Sequence, residues 1–284
     1  MGGEMARTPG RCKPARSCYA APMTIRLTRR EALAGMMLAS AAPAAALQRR
    51  ELEVPFVPTP HTLVQKMLDL ARLEAGDYLI DLGCGDGRIA VAAAQRGARA
   101  LGVDLDPLRV QEAFAAARQA GLAGQVSFRR QDLFATPLHE ADVLALYLLP
   151  AINLRLRPQL LTELRPGARV VSHAFDMGDW VADAEETHDG RRIFMWVVPE
   201  VAGGSWAVTH PDGRQQALEL EQRFQMVSGT LSGGGVSQTV TGRLSGALLN
   251  LASDNGTMRM SAVVEGPAMH SSDFGARWRA TRLE

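Results

Sequence analysis

Apolar residues in the first two thirds of the chain fall in short solid blocks, separated by stretches of helical period. Tyr78–Leu82, Ala100–Asp104, Val126–Gln131, Asp142–Leu149 and Arg169–Ala174 are the solid blocks. A strand that is apolar on successive residues is one buried on both faces. Between them, Ile89–Arg96, Pro107–Ala120 and Asn153–Leu164 read as helices. Strict alternation of the two predicts a mostly parallel sheet with helices on both sides. Ala184–His188 and Ile193–Val198 then flank Asp189-Gly190, a two-residue hairpin signal. The expected fold class is α/β: a doubly wound seven-stranded sheet, mostly parallel, whose last two strands form a hairpin.

Past residue 200 the helical period is lost. Gly203-Gly204 reads as a linker, and from there strand-like runs are separated by Pro211-Asp212-Gly213, Ser232-Gly233-Gly234-Gly235, Asn255-Gly256 and Gly266-Pro267. This predicts a small C-terminal antiparallel β domain over 204–284, an open meander or partial barrel of about seven strands. Ahead of the sheet, 47–76 reads as a proline-rich arm and a helix. Pro55, Pro58 and Pro60 keep the arm extended. Thr59 is expected to cap a helix that starts at Pro60 and buries Leu63, Val64, Met67 and Leu68.

The first 46 residues have the composition of a targeting segment. Thr28-Arg29-Arg30-Glu31-Ala32-Leu33 is a twin-arginine pattern, followed by the weakly apolar run Ala32–Ala46. It resembles a Tat signal, which sends folded proteins to the periplasm. If the signal is unused, the protein is cytoplasmic. Met23 is a more typical signal start than Met1. The signal is the one segment read as meeting a membrane. Cys12 and Cys18 lie before it, so Cys84 alone remains in the mature chain and no disulfide forms there.

Composition then narrows the chemistry. The chain has 284 residues, 46% hydrophobic and 21% charged, with a formal net charge of +1. Near-neutral charge gives no electrostatic case for nucleic acid, and no metal-ligand spacing is read. The informative stretch is Asp81-Leu82-Gly83-Cys84-Gly85-Asp86-Gly87, a strand end running into a glycine loop and then a helix. Such a loop lets the backbone approach a nucleotide at the strand's carboxyl end, as in a Rossmann-like site. Asp104 and Asp132 end the next two strands. Asp104 suits the paired hydroxyls of a ribose, and Asp132 an adenine amino group. The loop lacks the G-x-G-x-x-G spacing of dinucleotide sites, and Asp86 would repel a pyrophosphate. S-adenosylmethionine is therefore favoured over NAD, and an NAD oxidoreductase is disfavoured.

These motifs resemble class I S-adenosylmethionine-dependent methyltransferases over residues 55–199. Asp81–Gly87 matches the first motif, Gly102-Val103-Asp104-Leu105-Asp106 the ribose motif, and Gln131-Asp132-Leu133-Phe134 the adenine motif. Pro55-Phe56-Val57-Pro58-Thr59-Pro60 further resembles the ATP synthase c-subunit-type and archaeal protein-lysine methyltransferases. The resemblance implies that the arm folds over the cofactor, that Thr59 meets its methionine end, and that a protein lysine accepts the methyl group. It places cofactor binding on Thr59, Asp81, Gly83, Cys84, Gly85, Asp86, Gly87, Asp104, Leu105, Asp132 and Leu133 within 77–200. Leu146-Tyr147-Leu148-Leu149-Pro150 departs from the Asn-Pro-Pro-Tyr motif of amide and base methylases. Tyr147 is the catalytic candidate, or else a core aromatic; His173 and Asp176 are further wall or base candidates, His173 fitting a satisfied buried histidine better, and Asp176 with Asp179 beside Trp180 reads as a loop over the acceptor or a solvated turn. An exported enzyme would meet little S-adenosylmethionine outside the cell. The competing reading is thus an exported non-catalytic nucleoside-binding or scaffold protein.

Overall fold

The computed structural model describes residues 56–272 and 277–283. The targeting segment expected over 1–46 and the start of the arm, 47–55, lie outside the described residues. After helix α1 (His61–Leu70), the sheet is built from β1 (Tyr78–Leu82), β2 (Arg99–Asp104), β3 (Val126–Arg130), β4 (Val143–Leu146), β5 (Arg169–His173), β6 (Ala184–His188) and β7 (Arg191–Val197). Its order is β3-β2-β1-β4-β5-β7-β6. The first five strands pair in parallel, and β7 runs antiparallel to both β5 and β6. Asp189 and Gly190 join β6 to β7 with φ of 50° and 73°, the left-handed pair that a two-residue hairpin turn needs.

Alternation within each strand feeds two cores. Leu79, Ala100, Val126, Phe128, Val143 and Ala145 face α1, α2 (Arg88–Gln95) and α3 (Pro107–Gln119). Ile80, Leu82, Leu101, Val103, Leu144 and Leu146 face the other way, onto α4 (Pro150–Glu163). The expected β4 ran to Leu149, but the strand ends at Leu146. Pro150 opens α4 at its first turn, where a missing N–H costs nothing, so residues 147–149 become the strand–helix loop. Thr59 is not the α1 cap either. Pro60 holds that position without a side-chain bond, and the Thr59 hydroxyl is engaged elsewhere.

The C-terminal part corrects the expected open meander of about seven strands. Eight antiparallel strands close into a barrel in the order β10-β11-β12-β13-β14-β15-β8-β9. They are β8 (Gly204–Thr209), β9 (Gln215–Arg223), β10 (Met226–Gly233), β11 (Val236–Ser245), β12 (Leu248–Ser253), β13 (Arg259–Glu265), β14 (Ala268–Ser271) and β15 (Arg279–Arg282). Two turns carried no obvious signal. One is at Phe224, a non-glycine residue with φ of 54°, and the other at Gly246. Neighbouring strands approach closely at Gly229 and Gly242, where a Cβ would strike the backbone oxygens of Glu219 and Asn250. The lumen is filled by Trp206, Leu218, Leu231, Val240, Leu244, Val264 and Trp278. Among the described residues it is a packed core, as expected of eight strands, rather than a ligand chamber.

Sheet and barrel belong to one compact unit, and Gly203-Gly204 is no loose linker. Gln222 Oε1 accepts the Ala202 and Gly203 amides at 2.7 and 3.0 Å. The connection from β5 to β6 has no helix, and the barrel covers that gap. Phe224 stacks on the fully buried Trp180 at 6.0 Å, and buried Gln225 donates to the Val181 carbonyl at 2.6 Å. Asp179 pairs with Arg157 of α4 and Arg223 of β9, and Asp183 pairs with Arg243. Asp179, expected with Asp176 in a loop over the acceptor or a solvated turn, is therefore a junction residue, and its neighbour Trp180 is core. Side-chain volume was needed under the barrel, and indole was the largest filler available.

Candidate functional site

Asp81, the penultimate residue of β1, Asp104, the last of β2, and Asp132, just past β3, lie at the same edge of the sheet, as their strand positions require. Asp104 organises the edge. Its Oδ2 accepts the Gly85 amide and its Oδ1 the Asp106 amide, both at 2.9 Å. Each oxygen retains a second lone pair for an incoming hydroxyl. Asp132 caps a 3-10 turn at Leu133–Ala135 by accepting the Phe134 amide at 3.0 Å. Leu105 and Leu133 are half-buried beside these acids. They provide apolar surface of the kind a purine needs.

The glycine loop is held from below. Gly83 and Cys84 both donate to the Val103 carbonyl at 2.9 Å. Gly87 ends the loop at φ 79°, and a Cβ there would lie 2.7 Å from the Phe128 ring. Cys84 is buried, and burial with the Asp81 and Asp104 charges drives its thiol pKa far up. It is an inert small filler.

Asp81 is the unusual member. It is 2% exposed, and its Oδ2 has no hydrogen-bond partner. Burial pushes its pKa up to about 8, with the Asp104 and Asp86 charges adding, against an Ala90 amide hydrogen bond. A buried acceptor without a donor is costly. A cationic group brought to this edge would satisfy it and favour the ionised form.

Asp86 differs from expectation. It is not a bare charge aimed at the ligand, because Arg88 engages both its oxygens, Nε at 2.9 and 3.1 Å and Nη2 at 2.5 Å. Burial pulls the Asp86 pKa up, but the Arg88 hydrogen bonds and charge outweigh it and hold it low. Arg88 escaped the sequence reading, although a cation in the first turn of a helix opposes the macrodipole and so signals another task. That task is the arm: Arg88 Nη1 donates to the Thr59 carbonyl at 2.8 Å. Farther along the arm, Phe56 lies against Gly85 where a Cβ would clash, with the Arg109 guanidinium 4.1 Å from its ring centre. Arg109 also went unread, since a cation–π partner leaves no local pattern.

Thr59 does not offer its hydroxyl to the glycine loop. The side chain is buried, and its Oγ1 lies 3.1 Å from Nδ1 of His173, at the end of β5. The His173 ring packs on Tyr147 at 3.8 Å, and Phe175 stacks behind Tyr147 at 6.5 Å. Burial, with the Arg191 charge, lowers the His173 pKa to about 4, so the imidazole is neutral. Asp176 is set apart from this wall. It is exposed, and its carboxylate closes a turn by accepting the Gly178 amide at 3.0 Å.

Known proteins resemble this part of the chain. A family model described as the ANTKMT methyltransferase domain matches residues 81–184, ending before the barrel. A protein-lysine N-methyltransferase of Saccharolobus islandicus is 37% identical over 153 residues, 52% of this chain and 95% of that protein. The adenine nucleotide translocase lysine N-methyltransferase of Mus musculus is 38% identical over 130 residues, 45% of this chain and 56% of that protein. The crystal structure of an RNA methyltransferase from Salinibacter ruber in complex with S-adenosyl-L-homocysteine is 47% identical with a TM-score of 0.51. That match covers 51% of this chain and 95% of the other. The chain belongs to the S-adenosylmethionine-dependent methyltransferases, in the family that contains the archaeal protein-lysine N-methyltransferase, and S-adenosylmethionine is its cofactor.

Proposed function

We propose that this enzyme methylates the side-chain amine of a protein lysine. The observation that carries the reading is an uncharged aromatic wall, Tyr147, His173 and Phe175, standing at the ends of β4 and β5 beside the cofactor edge. Bound S-adenosylmethionine supplies an electrophilic sulfonium methyl group. Asp104 is placed to hold its ribose, Asp132 and Leu133 its adenine, and Asp81 its ammonium group. Asp81 fits that task because its buried Oδ2 lacks a donor. A lysine must lose its proton before it can attack, and a low-dielectric wall lowers its pKa. The same ring faces attract the methylated ammonium product. Near-neutral net charge and the absence of an Asn-Pro-Pro-Tyr motif weigh against a nucleic acid acceptor, despite the Salinibacter likeness. The test is incubation of a cell lysate with the enzyme and methyl-labelled cofactor. Label recovered as methyl-lysine after protease digestion supports the reading, and label confined to RNA overturns it.

Asp81 makes cofactor affinity depend on pH. Below about pH 8 the free enzyme holds a proton on Asp81, and the cationic ligand expels it. The dissociation constant therefore falls as pH rises from 6.5 to 8, by up to about tenfold per unit. Calorimetry in buffers of different ionisation enthalpy detects the released proton. The same raised pKa means the ligand-free fold loses stability as pH rises from about 4 to about 8, since the folded state binds the extra proton there.

The twin-arginine pattern at Arg29-Arg30 supports export of the folded enzyme, with cofactor loaded before transit. A tagged full-length chain is then expected in the periplasmic fraction, and a double lysine replacement at 29 and 30 in the cytoplasm. Equal distribution of the two removes the export reading.

A further inference from the structure

The arm and the acceptor wall meet at one side chain. Thr59 and His173 are 3% and 2% exposed, and they are joined across 114 residues of sequence by a single hydrogen bond. A buried hydroxyl needs an acceptor, and the acceptor within reach is the imidazole Nδ1. With the hydroxyl as donor, the ring proton belongs on Nε2, so the arm and the tautomer are linked. The backbone of Thr59 is pinned at the same time by Arg88, which is locked to Asp86 in the glycine loop. The imidazole also packs on the Tyr147 ring, with the centres 3.8 Å apart and the planes tilted by 30°. Ala174, directly after His173, has φ of 67°. That strained exit from β5 persists only where its surroundings hold it, and its amide is bonded to the Arg192 carbonyl at 2.8 Å. Arg191 on β7 is the charge facing the ring. The arm and the β4 loop face it with the neutral groups of Thr59 and Tyr147.

We propose that His173 is a positioning residue that makes seating of the arm a condition for building the acceptor wall, with Thr59 as the sensor and Tyr147 as the part positioned. The inference rests on the reading of Tyr147 as acceptor wall. It explains why a threonine, rather than another small residue, sits between the two prolines. It also explains why a buried histidine ends a strand that needs no charge. Coupling of this kind is reciprocal. Loosening the wall must weaken retention of the cofactor, which the wall's far side does not hold, and loosening the arm must weaken transfer.

The test uses the full chain with S-adenosylhomocysteine as probe. Thr59→Val is isosteric and removes the hydroxyl, whereas Thr59→Ser keeps it. Thr59→Val is expected to raise the calorimetric dissociation constant about tenfold, the worth of one buried hydrogen bond, and Thr59→Ser to stay within about twofold. Tyr147→Leu alone is expected to raise it about threefold, and the Thr59→Val/Tyr147→Leu double variant no more than Thr59→Val alone, because both act through one latch. Nitrogen-15 spectra of the His173 ring, assigned with His173→Asn, are expected to show an accepting Nδ1 in the wild type and in Thr59→Ser. Thr59→Val is expected to lose that signature. Near-ultraviolet dichroism establishes that each variant is folded, and Thr59→Ser reports on the latch even if Thr59→Val is not. An unchanged ring signature in Thr59→Val, or strictly additive effects in the double variant, overturns the proposal. A Tyr147→Leu enzyme that transfers methyl groups at the wild-type rate overturns the acceptor-wall reading instead.

Discussion

Replacing Asp104 with alanine raises the dissociation constant for S-adenosylmethionine by roughly a hundredfold or more. Its two oxygens each accept one backbone amide, from Gly85 and from Asp106, and each has one further lone pair for a ribose hydroxyl. Two charged hydrogen bonds contribute about 1.5–3 kcal/mol apiece, and about 1.4 kcal/mol is a factor of ten. The loss is compounded because the Gly85 amide, released from Asp104, no longer fixes the loop that the cofactor approaches. Asp104→Asn keeps one acceptor oxygen and is expected to lose about tenfold. Calorimetric titration of both variants separates the two contributions. An alanine variant that binds within threefold of the wild type would show that Asp104 is a loop brace alone.

The second large effect is on stability. Trp180→Ala is expected to destabilise the protein by about 3–5 kcal/mol, a large share of the stability of an ordinary domain. Trp180 is fully buried, 5.9 Å from Trp196 on the sheet side and 6.0 Å from Phe224 on the barrel side. Its removal empties the place that a β5–β6 helix would otherwise fill. The midpoint of thermal unfolding should fall by roughly 6–20 °C. Sheet and barrel should still unfold together if the seam is shared. Trp180→Phe gives the opposite test. The indole Nε1 has no partner, so phenylalanine keeps most of the ring contact while removing an unpaired buried donor. Its cost is expected below about 1 kcal/mol. Differential scanning calorimetry of the two variants checks both signs.

Local pattern was enough for the sheet and for the cofactor edge. Two-sided burial makes each parallel strand a solid apolar block, so β1, β2 and β5 were legible almost to the residue. The chain order of strand, glycine loop and helix then puts Asp81, Asp104 and Asp132 at one edge, whatever the loops do. Asp189-Gly190 specified its hairpin because few other dipeptides accept two left-handed residues. Those features depend on neighbours in sequence, and their physics is local.

What only the tertiary structure decided depends on groups far apart in the chain. Whether a run of short strands closes depends on how nearly the first and last meet, and no local pattern reports that. In the closed barrel, Gly229 and Gly242 admit a neighbouring backbone, and that pairing is set across the chain. Asp86 read as a free charge, because its partner Arg88 is set by the curl of the loop and not by spacing alone. Asp179 read as part of a loop over the acceptor or a solvated turn, because its partner Arg223 lies in the barrel more than forty residues later. Thr59 read as a helix cap, because its partner His173 arrives from the fifth strand. The sequence by itself determined a methyl-donor site on a parallel sheet, since strand burial and glycine geometry are local. The fold alone decided that Thr59 of the arm, His173 of β5 and Tyr147 after β4 meet in one contact, since that needs three segments brought together by a shared core.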